Sequence, residues 1–109
     1  MPFDVFWSEL AKGDLDDLYE YYSQLSVDVA VRIHNGIIDE SERLTRNPEI
    51  APFEQTINNP PKKFRSLLVS KRRFKLVFYV ANNTVKIVCV WCCRQNPARL
   101  RKAVRLRKF

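Results

Sequence analysis

The spacing of apolar residues in the first half of the chain predicts a strand followed by two helices. Residues 3–7 alternate large apolar and smaller side chains, a pattern typical of a strand. Asp14 follows a glycine and is expected to cap a first helix over residues 14–24, whose apolar residues recur every three or four positions. Ser26 supplies the N-cap of a second helix over residues 26–46. Because almost no loop separates the two helices, they should form an antiparallel hairpin.

The second half of the chain has the pattern of a sheet. Residues 49–63 show no periodicity and contain several prolines, which indicates an irregular connection. Three runs with strand character follow at residues 64–69, 74–80 and 85–91, joined by short polar turns. The last run is apolar at nearly every position, so it should be a central strand that is covered on at least one face.

Together these elements predict an α+β fold of order β-α-α-β-β-β, in which the helical hairpin packs on an antiparallel sheet. The core should include apolar residues of both layers: Leu18, Ile37, Leu76 and Ile87. A length of 109 residues suits a single domain, which we place at residues 1–97, followed by a short basic C-terminal tail at residues 98–109. The apolar residues of the tail suit a short helix or an extended arm, and a solvated terminus is the alternative.

Composition narrows the classes of function. Hydrophobic residues make up 46% of the chain, which is typical of a folded domain, and no apolar run approaches the roughly 20 residues that cross a bilayer. The N-terminus lacks the cationic and then apolar pattern of a signal peptide. We therefore expect a cytoplasmic protein without a membrane partner.

Charge is distributed unevenly along the chain. The net charge is +7, and no Asp or Glu occurs from Lys62 to Phe109. Such a split gives the fold a basic side that suits an acidic partner such as nucleic acid, an acidic protein segment or an anionic membrane surface. An ordinary solvated surface is the alternative explanation.

The cysteines and the single histidine do not indicate a cofactor. Cys89 and Cys92 form a C-x-x-C motif next to Cys93, but His34 lies far away in sequence, and a structural zinc site needs four ligands. Strand alternation would also direct Cys89 and Cys92 to opposite faces. We therefore expect the cysteines to pack as apolar side chains and His34 to be an ordinary, partly buried histidine. We expect neither a metal nor another cofactor.

Several segments occur in an order that resembles the RelE/ParE toxin superfamily. They are Ala11–Leu18, the strands Phe64–Val69 and Phe74–Tyr79, and a last strand that runs into Cys93-Arg94-Gln95-Asn96-Pro97. The resemblance covers residues 3–97 and depends on the order of all the segments, since no single motif is decisive.

The resemblance implies a toxin of a type II toxin–antitoxin system with one of two activities. RelE-like toxins bind in the ribosomal A site and cleave mRNA with a cluster of basic residues and usually a late tyrosine or other acid. ParE-like toxins keep the fold, lack that cluster and poison DNA gyrase. In both branches a cognate antitoxin wraps and neutralises the toxin, so we expect an acidic antitoxin encoded by an adjacent gene.

The residues for mRNA cleavage are only partly present. RelE-like enzymes carry lysines where this chain has Ser66 and Leu68, and no tyrosine follows Arg94. Lys75 and Arg94 match phosphate-binding arginines of the family and would be the catalytic residues of a RelE-like enzyme. These cations can stabilise charge on phosphorus, but they provide no proton-transfer group near neutral pH. The ParE-like activity is therefore favoured, and mRNA endoribonuclease activity is the alternative.

The resemblance and the charge pattern together give a set of candidate binding residues. Those for the target are Arg65, Lys71, Arg72, Arg73, Lys75, Arg94, Gln95 and Asn96. Residues 71–73 could partly replace the missing lysines, whereas Arg65 and Arg94 have the alternative role of bracing the sheet edge through backbone carbonyls. In the tail, the candidate partner-binding residues are Arg99, Arg101 and Lys102.

A different class of function also fits the composition. The chain could be a nucleic-acid-binding module without toxic or enzymatic activity, in which Phe64, Phe74 and Phe78 form a stacking surface on a basic sheet. The spacing of these aromatics places several of them in the core, which counts against the module.

Overall fold

A computed structural model describes residues 2–57 and 63–107, and within them the chain forms four strands and three α-helices. Their order is β1 (Asp4–Trp7), α1 (Glu9–Ser23), α2 (Val27–Ser41), β2 (Arg65–Val69), β3 (Phe74–Ala81), β4 (Thr84–Cys92) and α3 (Pro97–Leu106), with short 3₁₀ turns at Glu42–Thr45 and Pro48–Ile50. The predicted α+β class and helical hairpin are confirmed. Residues 58–62 of the predicted irregular connection lie outside the described residues.

The start of α1 differs from the prediction. The helix begins directly after β1, because the Oγ of Ser8 accepts a hydrogen bond from the backbone N of Ala11 at 3.1 Å and caps it. Asp14 therefore lies more than one turn inside α1, and its expected role as N-cap was wrong. The N-cap of α2 was predicted correctly, since the Oγ of Ser26 accepts from the backbone N of Val29 at 3.4 Å.

The sheet has the strand order β1-β4-β3-β2. Strands β2, β3 and β4 are antiparallel as predicted, but the prediction has to be corrected for β1, which pairs in parallel with β4. The helical hairpin returns the chain to the end of the sheet where β1 begins, and there the backbone N of Phe3 donates to the carbonyl of Thr45 at 2.7 Å. Strand β2 thus starts at the same end as β1, β3 runs back, and β4 again runs in the direction of β1.

Strand β4 contributes apolar residues to both faces of the sheet, and a β-bulge places two consecutive residues on the same face. Phe78 pairs with Ile87 and Val77 pairs with Cys89, so Val88 is an extra residue in β4. Ile87 and Val90 belong to the core beneath the helical hairpin, whereas Val88, Cys89 and Trp91 belong to a second core on the opposite face, here called the outer face. The prediction that this strand is covered on at least one face is confirmed, and both faces are in fact covered.

The two cores account for the large apolar residues singled out in the sequence. The four predicted core residues, Leu18, Ile37, Leu76 and Ile87, are all buried beneath the hairpin. Phe74 and Phe78 lie in the same core, and Phe64 lies in the second core. None of these three phenylalanines presents a free ring face for base stacking, since each is at most 5% exposed.

Helix α3 covers part of the outer face. The side chain of Asn96 caps it by accepting from the backbone N of Ala98 at 3.0 Å, and Leu100 and Val104 are buried in the second core. Of the conformations considered for this segment, the structure therefore has the short helix. Leu106, at 73% exposure, lies outside the core.

Arg107 fastens the end of α3 to α1 and β4. Its guanidinium donates to both carboxylate oxygens of Asp14 at 2.8 Å and to the carbonyl of Val88 at 2.6 Å. The same carboxylate accepts from the backbone N of Val90 at 2.9 Å. The hydrogen bond with Asp14 raises the pKa of Arg107 above its ordinary value. The pairing of β4 with β1 ends at Ile87. Beyond it, the ion pair of Asp14 and Arg107 provides hydrogen-bond partners for the carbonyl of Val88 and the backbone N of Val90.

The cysteines behave as the strand pattern predicts. Cys89 lies in the second core and Cys92 packs against the first, so the two thiols point to opposite faces. Burial, with the nearby Asp14 carboxylate as a further cause, raises the pKa of Cys89 to about 12. The described residues contain no cluster of His, Cys, Asp and Glu that could hold a metal ion. Among the same residues no helix is long and apolar enough to cross a membrane.

The packing of β4 predicts a large effect for Ile87→Asp. Ile87 is fully buried, so the substitution would place an unpaired carboxylate in the core and should cost several kcal/mol, a large part of the stability of a small domain. Thermal unfolding followed by circular dichroism measures the effect. Lys86→Gln, at the neighbouring partly exposed position, is the control and should remain folded. A cooperatively folded Ile87→Asp protein would contradict this placement of β4.

Candidate functional site

Three of the positions considered for RNase chemistry, Ser66, Leu68 and Lys75, lie near the edge of the sheet formed by β2. A groove of about 480 Å³, here called the β2 groove, runs along this edge. Its lining combines cations of the β2–β3 turn with residues of both strands: Glu40, Arg43, Pro52, Ser66, Leu67, Leu68, Lys71, Arg72 and Lys75. In the strand register Leu68 lies opposite Lys75, so the groove contains the two positions that lack lysines together with the lysine that is present.

Lys75 is bound by a carboxylate of the same chain. Its Nζ donates to Oε1 of Glu54 at 2.7 Å, and the hydroxyl of Ser66 donates to the same oxygen at 2.8 Å. Thr56 donates to Oε2 from its backbone N at 3.1 Å and from its hydroxyl at 2.6 Å. The Glu54 side chain is 4% exposed and the Lys75 side chain 18%, so the ion pair is nearly buried.

The segment before β2 places Glu54 on this lysine. The backbone N of Ser66 donates to the carbonyl of Pro52 at 3.1 Å, and the backbone N of Glu54 donates to the carbonyl of Phe64 at 2.9 Å. Phe53 forms an isolated antiparallel bridge with Arg65. These contacts extend the sheet by a short piece of chain beside β2 and fix the position of the Glu54 side chain.

Glu54 is ionised at neutral pH. Burial acts to raise the pKa of its carboxyl, but the hydrogen bonds from Lys75, Thr56 and Ser66 outweigh burial and hold that pKa below its ordinary value near 4.5. The ammonium group of Lys75 is therefore neutralised within the protein. A lysine held in this way is poorly placed to stabilise charge that develops on a phosphate.

Arg65 braces this segment. Its guanidinium donates to the carbonyl of Ala51 at 2.7 Å and lies 4.0 Å from the centroid of the Phe53 ring. These are the backbone-bracing contacts considered for Arg65 in the sequence, and they help to hold the chain that carries Glu54.

The other predicted target residues do not form one site. Lys71, Arg72 and Arg73 are exposed on the β2–β3 turn, and Lys71 and Arg72 line the β2 groove with Lys75. Arg94 and Gln95 line a different groove of about 400 Å³ between α1 and the end of β4. Asn96 acts as the N-cap of α3. The predicted catalytic pair, Lys75 and Arg94, thus lines two separate grooves.

The predicted partner-binding cations, Arg99, Arg101 and Lys102, are exposed on α3. No ion pair is formed by any of these three side chains with the described residues. They remain accessible to an acidic partner, which is what their prediction requires.

Sequence reasoning missed Glu54, together with the pair formed by Asp14 and Arg107. Glu54 is 21 residues from Lys75 in sequence, and a contact at that separation leaves no local pattern. One signal was available, because Glu54 is the last Asp or Glu in the chain and precedes a half with 15 Lys and Arg residues and no acidic side chain to balance them.

The chain is similar to a known protein family and to a solved structure. A family model described as the ParE toxin of type II toxin–antitoxin systems, parDE, matches residues 5–97. A search of curated proteins found no match. Among solved structures, the chain is similar to one titled "Chromosomal ParDE TA system from P. aeruginosa", with a TM-score of 0.70 and 20% sequence identity. That match covers 83% of this chain and 95% of the other, and at this identity it shows the fold.

The lowered pKa of Glu54 predicts how stability depends on pH. Its ionised form stabilises the folded state above its ordinary pKa, and this contribution is lost as pH falls through the folded-state pKa. Glu54→Gln should therefore reduce the free energy of unfolding at pH 7 by about 3 kcal/mol, because it breaks a nearly buried ion pair. The difference from wild type should shrink as the pH is lowered. Chemical denaturation at pH 7 and at lower pH measures both effects.

Glu9→Gln is the matched control for this experiment. Glu9 forms an ion pair with Lys12 at 3.3 Å, but the two side chains are 89% and 55% exposed. Such a pair contributes little, so the control should be close to wild type at every pH. If Glu54→Gln is as stable as Glu9→Gln at pH 7, the buried pair described here is not present.

Proposed function

The chain belongs to the ParE toxin family of type II toxin–antitoxin systems, and from this premise we propose that it inhibits DNA gyrase and is neutralised by a cognate antitoxin. The observation that supports gyrase over mRNA is the contact between Glu54 and Lys75. It engages the lysine that an RNase of the wider superfamily would need for phosphate. A toxin that acts by binding to an enzyme does not require this group to be free.

The remaining chemistry of the β2 groove points in the same direction. Ser66 donates its hydroxyl to Glu54, and Leu68 is 46% exposed and apolar, so neither position supplies a cation. Arg94 lines another groove. Cleavage at the ribose 2′-hydroxyl needs both proton transfer and charge stabilisation at one phosphate. Ribosome-dependent mRNA cleavage is therefore the second candidate, favoured only by the exposed Lys71 and Arg72 on the rim.

A non-toxic nucleic-acid module is the least supported function. It depends on stacking by Phe64, Phe74 and Phe78, all of which are buried. Expression of the chain without growth arrest, combined with salt-sensitive RNA or DNA binding, would favour it.

The antitoxin is proposed to be an acidic protein encoded by an adjacent gene. We infer that a segment of it crosses the basic half of the chain, where Arg99, Arg101 and Lys102 are exposed on α3. Its carboxylates would pair with these cations, and apolar side chains would add contacts whose strength does not fall with salt. Target and antitoxin both belong to the cytoplasm, which is the location we propose for this chain.

Pulse labelling after induction of the chain without antitoxin tests the proposed target. We expect DNA synthesis to stop first and a DNA-damage response to follow, while translation continues at early times. The physical reason is that the neutralised Lys75 provides no phosphate-stabilising cation in the β2 groove. Co-expression of the antitoxin is the control and should restore growth. Early loss of translation with codon-phased mRNA ends, abolished by Arg94→Ala, would instead establish the RNase.

A further inference from the structure

The turn between β2 and β3 contains three consecutive residues with left-handed backbone conformation. The φ angle is 54° at Ser70, 54° at Lys71 and 67° at Arg72. In this region the Cβ of an L-residue crowds the next carbonyl oxygen, so residues other than Gly, Asn and Asp seldom adopt it. Three such residues in a row represent backbone strain that the surrounding structure has to hold in place.

The chain has a second turn that meets the same requirement with tolerant residues. Between β3 and β4, Asn82 and Asn83 have φ angles of 52° and 61°. Asparagine accepts this conformation more readily than lysine or arginine does. The β2–β3 turn therefore keeps two cations at positions where asparagine would fit the backbone better, and folding alone gives no reason for that choice.

Hydrogen bonds fix the strained turn. The backbone N of Ser70 donates to Oε2 of Glu40 at 2.8 Å, and the backbone N of Arg73 donates to the carbonyl of Ser70 at 3.1 Å. The carbonyl of Arg73 accepts from the backbone N of Cys93 at 2.9 Å. The turn is thus a rigid support for its side chains.

The cations around this turn come from two parts of the fold. Lys71, Arg72 and Arg73 are exposed on the turn, and Arg32 and Arg43 are exposed on the helical side of the two grooves that flank it. Lys71 lines both grooves. Within the described residues Glu40 is the one carboxylate that lines either groove, and it is engaged by the backbone of Ser70. Five exposed cations beside one carboxylate give the patch a positive charge, and none of the five forms an ion pair with the residues that the structure describes.

We propose that this patch, formed by Arg32, Arg43 and Lys71–Arg73, binds the phosphate backbone of duplex DNA. The proposal rests on the proposed function, because a toxin bound to gyrase acts beside the DNA that gyrase holds. Exposed lysines and arginines without carboxylate partners are the groups that neutralise DNA phosphates. Duplex DNA is favoured over an acidic peptide because all five residues of the patch are exposed cations, which the regularly spaced phosphates of a duplex can contact together.

Binding of the purified full-length chain to a short fluorescent DNA duplex, measured by anisotropy over a series of salt concentrations, tests the proposal. The variant K71N/R72N gives this turn the residues that the β3–β4 turn uses. It should melt several degrees higher than wild type, because strain is relieved. Its DNA affinity at low salt should fall about tenfold, and the slope of log affinity against log salt should shrink by about 2.

Two controls separate the contributions of strain and charge. Ser70→Gly relieves strain at the first left-handed position without removing a cation, so it should also melt higher but bind DNA like wild type. The variant R99Q/R101Q/K102Q removes three exposed cations from α3, and its DNA affinity should fall less than that of K71N/R72N.

Several results would overturn the proposal. They are unchanged DNA affinity in K71N/R72N, an equal or larger loss in R99Q/R101Q/K102Q, and tighter binding of an acidic peptide than of duplex DNA at the same salt. A melting temperature that does not rise in either K71N/R72N or Ser70→Gly would show that the turn stores no strain. The DNA-binding assay contains no gyrase. Its result is therefore independent of whether the chain inhibits gyrase, and the two proposals can fail separately.

Discussion

A strand that is apolar at consecutive positions has to be covered on both faces, and β4 imposes this requirement on the rest of the fold. The side chains of β4 enter both the hairpin core and the core on the outer face, and the bulge places the consecutive residues Val88 and Cys89 together on the outer face. Helices α1 and α2 cover one face, and α3 covers part of the other. The ion pair between Asp14 and Arg107 joins the two covers at the edge of β4, where hydrogen bonds to a charged group contribute about 1.5–3 kcal/mol each. The ion pair therefore covers the part of the β4 edge that lies beyond the end of its pairing with β1.

A second constraint acts at the opposite edge of the sheet. The backbone of residues 52–54 pairs with the start of β2, and this pairing places the Glu54 carboxylate against Lys75. The position that could have formed a phosphate site is therefore part of a buried polar network. Such a network is costly to break, because removing one partner leaves an uncompensated charge. The buried contact between Glu54 and Lys75 thus connects the fold to the proposed choice between a toxin that binds an enzyme and one that cleaves RNA.

Much of the architecture could be predicted from residue patterns, because strands and helices have different periods and Ser26 is a good cap. Asp14 was misassigned because it follows Gly13 and has the chemistry of a cap, whereas Ser8 satisfies the helix start earlier. The helix α3 was left open between three conformations, since its many cations obscure the buried pair formed by Leu100 and Val104. The site was less predictable. The side chain of Glu54 reaches Lys75 through pairing of distant segments, and local periodicity carries no information about such contacts.

The most direct test of the proposed mode of action compares two reactions of the purified chain. One contains gyrase, ATP and relaxed plasmid DNA, and the other contains programmed ribosomes with an end-labelled mRNA. We predict that supercoiling is inhibited while the mRNA on the ribosome stays intact. Normal supercoiling together with cleavage of the ribosome-bound mRNA would contradict this prediction, and would mean that Lys71 and Arg72, or a Lys75 released from Glu54, act on the phosphate.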